Sequence, residues 1–102
     1  MAQPKVSILI SFYNLAPYVD ETLESVLHQE TNFPIEVLCA DDGSTDDTVK
    51  KLRVWEQEYP NIIRVFVMDF VPGEKRPPDV RIKRLNAIRG RLFSEARGEY
   101  IC

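Results

Sequence analysis

Short apolar runs alternate along this chain with stretches whose apolar residues recur at helical spacing. Val6–Ile10 is β-branched and almost wholly apolar, which suits a strand buried on both faces of a parallel sheet. Ser11–Ala16 breaks that run. Pro17 then stands where a first helical turn tolerates it, and Val19, Leu23, Val26 and Leu27 predict a helix from about Pro17 to His28. Thr31, Asn32 and Pro34 predict a turn, and Ile35–Ala40 a second strand interrupted only by Glu36. After Asp41 and Asp42, Gly43 permits a tight turn. Ser44 with Asp47 has the form of a capping box, and Val49, Leu52 and Trp55 mark one face of a second helix ending near Tyr59.

Pro60 and Asn61 stop that helix, and Ile62–Val67 reads as a third strand with Arg64 as its one charge. Met68–Asp79 holds Pro72, Gly73, Pro77 and Pro78 and reads as a long irregular connection, a kind usually functional or mobile. Ile82, Leu85, Ile88, Leu92 and Phe93 then form a helical stripe, closed by Ala96-Arg97-Gly98 with glycine as the stop signal. Tyr100 and Ile101 begin a fourth strand. This order predicts a single α/β domain over residues 1–102: an open, mostly parallel Rossmann-like sheet with right-handed crossovers and helices on both faces.

Composition changes this picture little. At 102 residues, 44% hydrophobic and 28% charged, the chain has the balance of a globular domain with one modest core. No apolar run approaches the ~18 residues of a membrane span, and the first residues lack the pattern of a signal peptide, so a cytoplasmic protein is expected. Cys39 lies in an apolar run and Cys102 is the last residue, a spacing that suggests neither metal site nor disulfide. The net charge of −3 hides an asymmetry: residues 74–97 carry eight Lys or Arg against three acids, net +5, leaving −8 for the remainder. Such a segment suits either phosphate binding or a solvated helix face with internal ion pairs.

Ligands of open α/β sheets bind at the carboxyl ends of the strands, which directs attention to Ser11–Asn14 and Asp41–Ser44. Phe12 and Tyr13 suit either core packing or stacking on a base. The acids of 41–47 partly suit a helix N-terminus, yet Asp41 and Asp42 precede the turn and need another reason. An aromatic face and a carboxylate together can hold a nucleobase, while phosphate needs cations such as those of 74–97. Ser11-Phe-Tyr-Asn14 has no glycine, against a dinucleotide-binding turn, and the acidic pair follows the second strand where a phospho-accepting domain needs it after the first.

Four stretches in order, 6–14 (VSILISFYN), 23–31 (LESVLHQET), 35–47 (IEVLCADDGSTDD) and 96–101 (ARGEYI), resemble successive motifs of family 2 glycosyltransferases. The resemblance implies a GT-A fold, here its nucleotide-sugar half, truncated after the fourth strand. By motif position it implies a nucleotide site of Ser11, Phe12, Tyr13, Asn14, Asp41, Asp42, Gly43 and Ser44, with Tyr13 stacking on the base and Asp42 accepting from it. The family's A-R-N-x-G falls on residues 88–92, where Arg89 is kept for the diphosphate but Gly90 and Leu92 depart; Lys83 and Arg84 are weaker candidates for that work. The family's metal-binding D-x-D and its catalytic base fall beyond Cys102, so no catalytic or metal residue is assigned and the 102 residues alone are expected to be inactive. The intact enzyme is expected to use Mg or Mn. It would move a hexose-type sugar, foremost from a UDP-sugar, to a saccharide or lipid-linked acceptor with inversion, in polysaccharide biosynthesis and without nucleic acid. The alternative is a folded module with no transferase activity of its own.

Overall fold

The computed structural model describes residues 3–28, 33–68 and 78–102; the turn expected at Thr31 and Asn32 and most of the connection expected over 68–79 lie outside them. The elements run β1 (Val6–Phe12), α1 (Ala16–Leu27), β2 (Ile35–Asp41), α2 (Thr48–Glu58), β3 (Ile63–Val67), α3 (Pro78–Glu95) and β4 (Tyr100–Ile101). The strands form one sheet in the order β3-β2-β1-β4, every neighbour pair parallel. Sheet order therefore reverses between β1 and β4, where a crevice opens at the carboxyl ends of the strands.

Strand periodicity of two decides which side chains meet which helices. Phe12 of β1, Val37 and Cys39 of β2 and Ile63 and Val65 of β3 pack with Val19 and Leu23 of α1 and Leu52 of α2. The alternate residues Leu38 and Ala40, with Leu9 and Phe66 beside them, pack with Ile88 and Leu92 of α3. Leu23 and Leu52 are fully buried, each contributing roughly 1.5–3 kcal/mol through area removed from water. Burial pushes the Cys39 thiol up to about 12, with the Glu56 charge adding to the effect.

The boundaries differ from expectation in instructive places. Pro78 and Asp79 belong to α3 and not to the connection before it, since proline is tolerated in a first helical turn. The expected stripe of α3 divides in two. Arg84, Ile88 and Leu92 form the row against the sheet and are buried, whereas Leu85 and Phe93, one residue further round, stay 48% and 55% exposed. Gly98 is not the helix stop, since α3 ends at Glu95. It is small because a Cβ there would lie 2.5 Å from Ser7 Oγ and 2.6 Å from Ser7 N.

Ser44 and Asp47 do not form the expected capping box: Asp47 occupies the N-cap of α2 with no side-chain cap bond. Asp46 takes that role. Its Oδ1 accepts from Thr48 N at 3.0 Å and from the Thr48 hydroxyl, and its Oδ2 accepts from Ala16 N at 3.2 Å. Thr48 Oγ1 also accepts from Leu15 N at 3.0 Å. The orphan amides at the start of α1 are thus satisfied from the loop that opens α2, which couples the two helix entries. The slight desolvation of Asp46 is outweighed by the Thr48 and Ala16 donors, and its carboxyl is held below the usual range.

The amino ends of the strands carry a buried polar cluster. Glu36 Oε2 accepts from Ser7 Oγ at 2.5 Å and from Arg97 N at 2.6 Å, and its Oε1 from Arg64 Nη2 at 3.3 Å. Gly98 N donates to Ser7 Oγ at 2.7 Å, and Arg64 reaches Glu95 as well. Burial would raise the Glu36 carboxyl, but the Ser7, Arg97 and Arg64 hydrogen bonds and the Arg64 charge hold it below its ordinary value. One carboxylate so binds β1, β2, β3 and the entry to β4.

Candidate functional site

At the opposite end of the sheet the two loops singled out by sequence are laced together. Phe12 pairs in register with Asp41, and Asp42 N donates to Phe12 O at 2.9 Å. Asn14 N donates to Ser44 Oγ at 2.9 Å, and Asn14 Oδ1 accepts from Thr45 N at 2.8 Å. Asn14 has φ 50° and Gly43 φ 77°, left-handed conformations that asparagine and glycine adopt at least cost. Both positions turn the chain sharply at a strand tip, which brings residues 13 and 42 to one edge of the fold.

The predicted site residues separate by the face they occupy. Phe12 is 2% exposed and belongs to the core beneath α1 and α2, so only its backbone shapes the site; strand alternation places its ring on the face opposite Ser11. Asp41 is 1% exposed, and both of its oxygens serve Ser44: Oδ2 accepts from Ser44 N at 2.9 Å and Oδ1 from Ser44 Oγ at 2.5 Å. Asp41, Ser44 and the Asn14 side chain therefore hold the loops in shape. Ser11 and Tyr13 are exposed, the latter 39%, and Asp42 is partly open.

A groove of about 420 Å³ lies between the β1–β4 side of the sheet and α3, lined by Ser11, Leu9, Leu85, Arg89, Phe93 and Ile101 among others. Leu85, Arg89 and Phe93 are successive members of one i, i+4 row of α3, the row beside the buried one. Helical geometry thus brings Arg89 and Ser11 to one cavity. A hydroxyl, a cation and apolar walls in a cleft are the chemistry of a small-molecule site.

Arg84, by sequence a weaker candidate for phosphate binding, is 4% exposed, and its Nε lies 3.8 Å from Asp42 Oδ1. The signal was available in the spacing: 84, 88 and 92 form one row of α3, while 38, 40 and 42 share a face of β2 and the turn after it. Among the described residues no group of three acidic, cysteine or histidine side chains converges as a metal site. Among the described residues, the two acids that end β2 do not fit a bound divalent ion here: Asp41 is committed to Ser44 and Asp42 faces Arg84. No helix among the described residues is long and apolar enough to cross a membrane.

Comparison with known proteins bears on the family and the fold. The model for Glycosyl transferase family 2 matches residues 7–70. A poly(ribitol-phosphate) beta-glucosyltransferase of Bacillus spizizenii is 30% identical over 100 residues, covering 95% of this chain and 14% of its own length. S. aureus TarS 1-349 in complex with UDP-GlcNAc superposes with a TM-score of 0.65 at 26% identity, over 95% of this chain and 25% of that one. The mannosyltransferase PcManGT from Pyrobaculum calidifontis, in complex with GDP-Man and Mn2+, shares the fold at a TM-score of 0.57 and 24% identity, over 81% of this chain and 25% of that one. The chain spans about a quarter or less of the length of these relatives.

Proposed function

This chain belongs to glycosyl transferase family 2 and has the parallel α/β sheet of its GT-A members, and on that premise we propose that it holds the nucleoside diphosphate of a sugar-nucleotide donor. The observation that carries the reading is the lacing of the β1 and β2 loops, which joins the loop of exposed Tyr13 to the loop of Asp42 at the carboxyl ends of the strands. In this reading the Tyr13 ring stacks on the base, Asp42 accepts from a ring N–H, and Ser11 lies along the same wall. Arg89 meets the diphosphate from across the groove, where a cation forms charge-assisted hydrogen bonds to phosphate oxygens. A UDP-sugar is the donor of choice, since relatives include a protein described with UDP-GlcNAc. Asn14, Gly43, Asp41 and Ser44 contribute by fixing the loops.

In the intact enzyme the bound donor would undergo substitution at its anomeric carbon by a saccharide or lipid-linked acceptor, with inversion. A carboxylate base would take the acceptor proton, and a divalent metal, Mg or Mn, would supply positive charge for the departing diphosphate when bound. The residues described here supply donor binding and orientation, not the base, and no metal step is assigned to them. Calorimetric titration with UDP, GDP and TDP tests the proposal. A saturable heat with at least one of them is expected; none from cooperatively folded protein contradicts it.

A further inference from the structure

Away from the nucleotide site, we infer that Arg53 and Glu56 of α2 form a side-chain clasp that closes the open edge of β3 against a second copy of this chain. β3 ends the sheet order, and a strand at that place turns alternate N–H and C=O groups outward as a template for further pairing. Register shows which groups these are. Ile62 O and Met68 N face β2, bonding Val37 N at 2.7 Å and Asp41 O at 2.9 Å, so Ile63, Val65 and Val67 turn their backbone groups away from it. Ile63 N donates to Tyr59 O at 2.8 Å, at the C-cap of α2. Val65 is met by two side chains instead: its N–H donates to Glu56 Oε2 at 2.7 Å, and its carbonyl accepts from Arg53 Nη1 at 3.3 Å.

Arg53 Nη1 also donates to Glu56 Oε1 at 2.9 Å, which closes a ring from the Val65 amide through both side chains to the Val65 carbonyl. Carboxylate and guanidinium thus stand where the C=O and N–H of a neighbouring strand would stand. Helix support does not account for the pair. Its side chains are 46% and 28% exposed, where an ion pair contributes little, and a base preceding an acid helps a helix less than the reverse order. Without the clasp, Val65 offers one donor and one acceptor side by side. An antiparallel copy related by a two-fold axis at Val65 matches both, because residues directly opposite in such a pair exchange both hydrogen bonds. Val67, β-branched and 48% exposed, extends the same edge.

The test compares the unmodified chain with Arg53→Ala/Glu56→Ala and with Lys50→Ala/Glu58→Ala, which makes the same charge change at exposed positions of the same helix. Thermal melts, sedimentation velocity from micromolar to millimolar protein, and amide hydrogen exchange at Val65 are recorded for each. In dilute solution the clasp variant should exchange the Val65 amide about tenfold faster, as expected for one lost hydrogen bond. With rising concentration it should form a dimer in which Val65 regains protection, while the other two proteins show no such change. If the double variant loses its cooperative melt, Glu56→Ala takes its place and must still dimerise. A folded clasp variant that stays monomeric at millimolar concentration, or that associates without protecting Val65, overturns the inference. So does concentration-dependent protection of Val65 in the unmodified chain, or equal association of the Lys50/Glu58 variant, which would trace the effect to charge alone.

Discussion

Replacing Glu36 by Gln tests whether the amino ends of the strands are held by charge as well as by shape. The carboxylate takes the Ser7 hydroxyl and Arg97 N on one oxygen and Arg64 on the other, at 5% exposure. A carboxamide keeps the volume but offers one oxygen and one NH2. Whichever way it faces, a donor meets a donor, either at Arg64 or at the Ser7 and Arg97 pair. One buried donor left unsatisfied costs about 1–3 kcal/mol, and the loss of the Arg64 charge pairing adds to it, so roughly 2–3 kcal/mol is expected. For a domain of this size that corresponds to a fall in Tm of roughly 8–20 °C.

The pH dependence fixes the cause. The folded-state pKa of Glu36 lies below its ordinary value, so its contribution is fully present above the unfolded pKa and is lost as pH falls through the folded one. Urea denaturation of the native chain and Glu36→Gln should therefore differ most near neutral pH and converge as the pH drops below the carboxylate range. Equal midpoints at neutral pH, or a gap that persists unchanged in acid, would refute the reasoning.

Asp46→Ala should destabilise the chain by about 1–2 kcal/mol in the same denaturation assay, because it removes the acceptor for Thr48 N and Ala16 N, while Asp47→Ala should change little. Phe12→Ala should cost about 3–5 kcal/mol as a core truncation, whereas Tyr13→Ala should leave stability nearly unchanged and weaken nucleotide binding by about 1–3 kcal/mol through lost stacking, both read from melts and titrations of the same samples. Arg89→Ala should reduce affinity for UDP more than for uridine; equal losses in calorimetry would point to a structural role.

The strand and helix order was legible because the first three strands are predominantly apolar runs and each helix after them keeps its spacing. Two kinds of feature were not. The capping of α1 by Asp46 and Thr48 joins residues some 30 positions apart, and no local spacing reveals such a contact. Local pattern instead favours Ser44 and Asp47, which match a capping box, yet Ser44 bonds Asp41 and Asn14 and Asp47 stands at the N-cap of α2 with no side-chain cap bond. Glu36 and Arg64 read as single polar interruptions of two strands, and only the parallel register brings them to one face. At the proposed site, Ser11, Tyr13 and Asp42 are expected from the strand ends and a family resemblance. Phe12 and Asp41 fell on the buried side because alternate residues of a strand point to opposite faces. Arg84 is a related case: it is buried while Lys83, Arg89 and Arg91 are exposed, and composition alone does not separate them.

In the proposed function the two strand-tip loops form one face that receives a base. Amide chemical-shift mapping of isotopically labelled protein during addition of UDP examines that face directly. The largest changes should fall at Ser11, Tyr13, Asn14, Asp42 and Gly43, with Arg89 following; changes confined to the outer sides of α1 and α2 or to the Glu36 end of the sheet, or no change at millimolar UDP, would contradict it.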